Sequence, residues 1–107
     1  MAIYVGELVR LTATAKSFSS ASVSPDDIDS MNVSVYNAAG EVVIAEREMT
    51  WQPDEELWYY LWMTTEDETP TGELIDPGTY RAKVRMIDLD DHPSVEYLRV
   101  RLSRNPV

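Results

Sequence analysis

The residues in this sequence best suited to chemistry lie around its one histidine. His92 stands in a short acidic stretch with Asp88, Asp90 and Asp91, so an imidazole and several carboxylates are close together in the chain. Acyl-transfer catalysis would also need a serine or threonine nucleophile held against that histidine. The sequence has no Gly-x-Ser-x-Gly turn to present one, and nothing distinguishes any pair among its 19 acids for glycoside hydrolysis. We therefore expect no enzymatic activity and no catalytic residue.

The same aspartates alternate in a way that superficially resembles a calcium-binding loop. Counted from Asp88, an EF-hand would need glycine at its sixth position and an acid at its twelfth, but these positions hold Pro93 and Arg99. A looser site could draw on the loop acids Asp26, Asp27 and Asp29. Aspartate is also favoured in β-turns for local hydrogen-bonding reasons. We expect solvated turn residues here, with no metal ion and no other cofactor.

The overall charge narrows the range of partners. The chain has 107 residues with 19 Asp and Glu against 9 Lys and Arg, a net charge of −10, and no cysteine. Disulfides and thiolate metal sites are therefore excluded, and a hydrophobic core must stabilise the fold. The negative field opposes binding to nucleic acid or to an anionic membrane surface. No apolar run is long enough for a transmembrane helix, and no secretory signal is visible.

The charge is distributed unevenly along the chain. Residues 1–80 carry 15 acids and 3 bases, whereas residues 81–107 carry 4 acids and 6 bases. A hairpin between the predicted strands 79–88 and 95–103 would pair Ala82 with Val100 and Val84 with Leu98. The outer face would then carry five bases and one tyrosine, in three facing pairs: Lys83 and Arg99, Arg81 and Arg101, and Arg85 and Tyr97.

This basic face has two interpretations. It is either an ordinary solvated face, neutralised by nearby acids such as Glu46 and Glu48, or a docking surface for an acidic partner. Like charges directly opposite each other destabilise a sheet. Docking on an acidic partner would explain why the facing bases are present in spite of this cost. The partner could be another protein or the acidic loops of a second copy. Nucleic acid fits less well, because the overall field would repel it.

The segment 57–65 is an aromatic strand that is apolar on both sides. Trp58, Tyr60 and Trp62 fall on one side, and Leu57, Tyr59, Leu61 and Met63 fall on the other. One side must fill the core; the other is covered by the loops 16–30 or 66–77, or is free to contact a partner. If the tryptophans faced outward, they would form a platform able to stack on sugar rings or to anchor a protein interface.

These features need a framework of short strands. Apolar and polar residues alternate with the period of a strand, and turn-rich breaks separate the alternating segments. The predicted strands are 3–5, 7–15, 31–37, 41–50, 57–65, 79–88 and 95–103, with a hairpin turn at Asn37–Gly40. This pattern predicts a single all-β domain over residues 1–107. The expected architecture is an immunoglobulin-like or fibronectin type III-like two-sheet sandwich of about seven strands.

Tyr80 gives specific support for a sandwich. It follows Pro77-Gly78-Thr79 and begins an alternating strand. In immunoglobulin-like sandwiches, a tyrosine near the start of the sixth strand closes the corner between the sheets through a hydrogen bond from its hydroxyl to backbone a few residues upstream. We expect Tyr80 to form this corner; the alternative is that it only starts a strand after a tight turn.

Several segments resemble a known family. Val5–Thr14, Val33–Glu41 and Trp58–Trp62, with Pro25 between the first two, are similar to small immunoglobulin-like domains of tailed-bacteriophage virions. Such domains occur on capsids, necks and tails, often as accessory or decoration proteins. The shared motifs are strand, turn and corner signatures, which unrelated adhesins, bacterial surface repeats and carbohydrate-binding modules also carry.

The resemblance implies an orientation and a function. Trp58, Tyr60 and Trp62 would point inward, which leaves Leu57, Tyr59, Leu61 and Met63 as an outer stripe of interface character. The protein would be a non-enzymatic virion component, made in the bacterial cytoplasm, that docks on capsid, neck or tail subunits through this stripe or the basic face. The main alternative is a carbohydrate- or cell-surface-binding module that uses the tryptophan side. A domain of a bacterial surface protein is disfavoured by the lack of a visible signal sequence.

Overall fold

The computed structural model describes residues 3–14, 28–89 and 93–104, which form eight β-strands. The strands are β1 (Ile3–Tyr4), β2 (Leu8–Ala13), β3 (Ile28–Tyr36), β4 (Val42–Glu48), β5 (Thr50–Gln52), β6 (Leu57–Met63), β7 (Gly78–Asp88) and β8 (Pro93–Ser103). One sheet has five strands in the order β1-β8-β7-β3-β4, and the other has three in the order β2-β6-β5. The predicted two-sheet, all-β sandwich is confirmed. Within the described residues, no helix is long and apolar enough to cross a membrane.

The strand predicted at 41–50 is two strands in different sheets. β4 pairs with β3 in the five-stranded sheet, whereas β5 pairs with β6 in the three-stranded sheet. The crossing occurs at the buried Met49, whose amide donates a hydrogen bond of 2.8 Å to the main-chain oxygen of Met31. No glycine or proline interrupts residues 41–50, so the sequence pattern does not mark the crossing.

The core lies between the two sheets. Val33, Val35 and Val84 of the five-stranded sheet are fully buried, and Trp62 of the three-stranded sheet is buried with them. The Trp62 ring packs edge-on against Tyr80, with ring centroids 5.6 Å apart. Burying a large apolar side chain contributes roughly 1.5–3 kcal/mol, so these contacts hold the sheets together.

Tyr80 forms the predicted corner. Its hydroxyl donates a hydrogen bond of 2.5 Å to the main-chain oxygen of Asp76, four residues upstream. Burial raises the pKa of Tyr80, which keeps the hydroxyl protonated as a donor. The bond fixes the chain where it enters β7.

Thr64 joins the first turn of the chain to the end of β6. Its buried hydroxyl accepts a hydrogen bond of 2.8 Å from the Gly6 amide and donates one of 2.6 Å to the main-chain oxygen of Glu7. Gly6 has a φ of +90°, a conformation that glycine adopts without steric cost. One buried side chain thus satisfies two main-chain groups of a tight turn.

The first and last described strands are neighbours. β1 pairs with the end of β8 in parallel, with Ile3 opposite Leu102 and Tyr4 opposite Ser103. The Val5 amide adds a hydrogen bond of 3.0 Å to the main-chain oxygen of Ser103. β1 therefore extends the five-stranded sheet although the next strand, β2, belongs to the other sheet.

Candidate binding surface

The basic residues lie on the outer face of the five-stranded sheet, but not in the predicted register. Ala82 pairs with Leu98 rather than Val100. The observed pairs on the outer face are Arg81 with Arg99, Lys83 with Tyr97, Arg85 with Val95, and Thr79 with Arg101.

The predicted register of this hairpin is therefore wrong by two residues. Its physical cause is the length of the connection, because β8 already begins at Pro93, opposite Ile87 of β7. A shift of two residues changes the partners of a strand residue but keeps its side chain on the same face. The outer face, here called the basic face, therefore still carries Arg81, Lys83, Arg85, Tyr97, Arg99 and Arg101.

The cations of the basic face are not neutralised by direct pairing. The ion pairs within the described part of the chain are Arg10 with Glu55 and Arg47 with Glu68, so none of the five basic-face cations pairs with a described acid. Glu48 is separated from Arg85 by Asn32 of the intervening strand β3. Five positive charges are thus available on one face of an otherwise acidic chain.

Arg81 is held in place by an aromatic ring. Its guanidinium lies 5.5 Å from the centre of the Tyr97 ring, within the range of a cation–π contact. It also lies directly opposite Arg99, a like charge. The ring contact orients Arg81 without using its N–H groups, which remain able to bind an anion.

A groove of about 300 Å³ opens on this face. We call it the basic groove; it is lined by Tyr36, Asn37, Ala38, Gly40, Thr79, Tyr80, Arg81, Lys83 and Tyr97. β7 lies between β3 and β8, so Arg81 and Lys83 stand between the tyrosines of the two flanking strands. Two cations between two aromatic rings suit a carboxylate carried on a partly apolar segment.

The turn after β3 closes one end of the groove. The side-chain oxygen of Asn37 accepts hydrogen bonds from the amides of Ala39 and Glu41, at 3.0 and 2.9 Å. Gly40 has a φ of +85°, which a glycine allows. The predicted hairpin turn is therefore present, and its shape is fixed by asparagine and glycine.

The aromatic strand is oriented as predicted. Trp58 and Trp62 are 7 % and 0 % exposed, and Tyr60 is partly buried against the core. Of the other side, here called the outer stripe, Leu61 is 47 % exposed, whereas Leu57, Tyr59 and Met63 are half-buried. Trp58 and Trp62 therefore do not form the exposed platform considered from the sequence.

An arginine from β2 lies over part of the outer stripe. The Arg10 guanidinium lies 5.0 Å from the centre of the Tyr59 ring and forms two hydrogen bonds to Glu55, at 3.1 and 2.9 Å. The paired hydrogen bonds raise the pKa of Arg10 and lower that of Glu55. The open part of this sheet face consists of Leu61 and Leu8, of which Leu8 is 52 % exposed and pairs with Met63.

Tyr60 of β6 is linked to β4 of the other sheet through a shared carboxylate. Its hydroxyl donates a hydrogen bond of 2.6 Å to Glu68, and Arg47 of β4 lies 3.7 Å from the same carboxylate. Burial, followed by the bond to Glu68, raises the pKa of Tyr60. These contacts give Tyr60 a structural role.

Most of the residues considered for catalysis or metal binding from the sequence lie outside the described residues. Asp26, Asp27, Asp90, Asp91 and His92 are among them, so the predictions made for the acidic stretch and its histidine stay predictions. Within residues 3–14, 28–89 and 93–104, no group of acidic or histidine side chains is arranged to hold a metal ion.

Comparison with known proteins defines the fold. No family model matches the chain, and no curated protein matches it well enough to count as a relative. The chain is similar to a solved structure of fibronectin(III)-like modules of CbhA from Clostridium thermocellum. The TM-score is 0.55, the identity is 22 %, and the match covers 99 % of this chain and 89 % of that one.

The chain thus has a fibronectin III-like β-sandwich fold of the immunoglobulin type. Modules with this fold are commonly binding or linker domains and are typically non-catalytic. The same fold hosts many functions, so a particular function has to be argued from the surface.

Five residues that line the groove were not predicted as site residues: Tyr36, Asn37, Ala38, Gly40 and Thr79. Tyr36 alternates with Val35 and therefore lies on the outer side of its strand, which the sequence does show. What the sequence does not show is that β3 lies beside β7, far away along the chain. Without that pairing, Tyr36 could not be placed next to Arg81.

Proposed function

We propose that residues 1–107 form a single non-enzymatic binding module that docks on an acidic protein surface through the basic face. The observation that carries this proposal is that five cations lie on one face of a chain with a net charge of −10, and none of them forms an ion pair with an acid among the described residues. A cluster of like charges costs stability, so a surface that retains it is best explained by a partner that neutralises it.

The setting we propose is the virion of a tailed bacteriophage, in which the chain would be an accessory protein on capsid, neck or tail subunits. The sequence resemblance of Val5–Thr14, Val33–Glu41 and Trp58–Trp62 supports this setting. An accessory protein of this kind stabilises an assembly because it binds the assembled state and adds contacts between its subunits.

The basic face is favoured over the outer stripe as the docking surface. Only Leu61 of the stripe is strongly exposed, and Arg10 lies against Tyr59. The sugar-binding alternative needs Trp58, Tyr60 and Trp62 on the surface, and the two tryptophans are buried. We therefore do not propose it.

Co-sedimentation with phage particles tests the function. Particles purified from the strain that carries the gene should contain the protein, and added protein should bind particles that lack it. Arg81→Glu should weaken this binding at least about tenfold, because it reverses a charge at the contact. The control Arg104→Glu makes the same net change outside the basic face and should leave binding within about twofold. A protein absent from purified particles, or equal binding by the two variants, would contradict the proposal.

A further inference from the structure

We propose that the basic groove binds the acidic turn of a second copy of the same chain, so that the protein associates head to tail. The acidic turn is residues 53–56, between β5 and β6. This proposal rests on the proposed function, because it assigns a partner to the basic face.

The acidic turn presents free carboxylates. Gln52 pairs with Leu57 at the base of the hairpin, and the four turn residues between them are all exposed. Glu55 is held by Arg10, whereas Asp54 and Glu56 form no ion pair or side-chain hydrogen bond within the described part of the chain. Two carboxylates at the tip match the two cations of the groove, Arg81 and Lys83.

The basic groove lies at one end of the five-stranded sheet. β3 and β7 are antiparallel, so Tyr36 lies opposite Arg81 near the start of β7, and Met31 lies opposite Met86 near its end. The groove contains Tyr36 and Arg81. It is therefore at the end away from Met31.

The acidic turn lies at the other end. Trp58, next to the turn, lines a cleft together with Met31, whereas Trp62, further along β6, contacts Tyr80 at the start of β7. β6 therefore runs from the Met31 end toward the groove end. The turn comes immediately before β6, so it lies at the end opposite the groove.

One chain cannot bring these two surfaces together. They belong to different sheets and to opposite ends of the sandwich. Two copies can meet groove to turn, which leaves a free groove on one copy and a free turn on the other. Such a heterologous contact repeats and produces a ring or a filament.

The salt concentration sets the range of electrostatic interactions. It therefore decides whether repulsion between two copies, each with a net charge of −10, prevents this contact. At about 0.1 M salt the Debye length is about 10 Å, much shorter than the 47 Å molecule, so the facing charges dominate. At about 0.01 M it is about 30 Å, and the repulsion between whole molecules opposes association. At about 1 M it is about 3 Å, and the facing charges are screened as well. Self-association should therefore be strongest at intermediate salt.

The experiment is sedimentation velocity over a range of protein and salt concentrations. The natural chain should gain mass with concentration, most strongly near about 0.1 M salt. The groove-neutral variant Arg81→Gln/Lys83→Gln and the turn-neutral variant Asp54→Asn/Glu56→Gln should each stay monomeric. Mixed together they should form a 1:1 dimer and nothing larger, because one intact groove meets one intact turn.

Matched controls separate this contact from general charge effects. Arg85→Gln/Arg101→Gln removes two basic-face cations that do not line the groove, and Glu46→Gln/Glu73→Gln removes two exposed acids outside the turn. Both controls should self-associate to within about threefold of the natural chain. Circular dichroism establishes that every variant is folded.

Three outcomes would overturn the inference: a natural chain that stays monomeric at every salt concentration, association that only rises with salt, or a groove-neutral variant that still self-associates. Failure of this inference and failure of the proposed function give different results. A monomeric chain whose particle binding is lost in Arg81→Glu retains the docking function with another partner. A chain that self-associates through the groove but is absent from particles retains this inference and loses the virion setting.

Discussion

The Tyr80 hydroxyl donates a 2.5 Å hydrogen bond to the main-chain oxygen of Asp76, while the Tyr80 ring packs edge-on against the buried Trp62. One side chain therefore fastens the loop before β7 and fills part of the core beneath it. The two contributions can be separated by substitution.

Tyr80→Phe should lower the free energy of unfolding by about 1 kcal/mol. It removes the hydrogen bond but keeps the ring contact. Asp76 is exposed, so its main-chain oxygen can accept a hydrogen bond from water instead. Tyr80→Ala also removes the ring and should cost about 3–5 kcal/mol. Urea unfolding measures both.

Tyr97→Phe is the control, since Tyr97 is 57 % exposed. If Tyr97→Phe lowers the free energy of unfolding as much as Tyr80→Phe does, the corner hydrogen bond adds nothing to stability.

Thr64→Val should lower the free energy of unfolding by about 2 kcal/mol, because it keeps the shape of the side chain but leaves the Gly6 amide without its partner. The Glu7 oxygen loses the bond from the hydroxyl and keeps the 3.3 Å bond from the Thr64 amide. Thr64→Ser keeps the hydroxyl and loses only a buried methyl group, which costs about 1 kcal/mol. Chemical unfolding of the two variants gives the comparison. A valine variant as stable as the serine variant would contradict the prediction, because the hydroxyl would then contribute no more than the methyl group.

Arg99→Glu should stabilise the fold while it weakens docking. The substitution replaces the repulsion between Arg81 and Arg99 by an attraction, which is worth about 0.5 kcal/mol on an exposed sheet face. Arg101→Glu is the control, because Arg101 faces the neutral Thr79, and its stabilisation should be smaller. Thermal unfolding measures the effect. Destabilisation by Arg99→Glu would show that the facing arginines do not repel each other appreciably.

Alkaline pH should destabilise the protein through Tyr60 and Tyr80, whose pKa values are raised by burial. A folded-state pKa above the unfolded value of about 10 means that the folded chain keeps its proton longer. The stabilisation is therefore complete below about pH 10 and is lost as the pH rises through the folded pKa. Unfolding free energies at a series of pH values measure this loss. Tyr60→Phe/Tyr80→Phe should flatten the profile; an equally steep profile in that variant would assign the loss to other groups.

Local patterns in the sequence predicted most of the fold. Alternation located the strands because successive side chains of a strand point to opposite faces. The corner at Tyr80 could be predicted because the turn before it and the alternating strand after it are both visible in the local sequence. Orientation of the aromatic strand also agreed with the structure, although it followed from a family resemblance, since both of its sides are apolar.

Features that depend on contacts between distant residues were not predicted. The two-residue register error arose because the connection between β7 and β8 is shorter than the sequence indicated. The crossing at Met49 was missed because hydrogen bonding with Met31, and not residue type, defines it. The basic groove needs Tyr36 beside Arg81, a pairing of residues 45 positions apart in the chain.

The parallel pairing of β1 with the end of β8 has a mechanical consequence. Tension applied to the chain ahead of β1 and behind β8 pulls two parallel strands in opposite directions along their common axis, so their hydrogen bonds are loaded together in shear. The contact is short, with Ile3 and Tyr4 paired and one further bond from Val5 to Ser103. A pulling force on the chain should therefore detach β1 while the core around Trp62 stays packed. Force spectroscopy should record this as a small first extension before the sandwich unfolds.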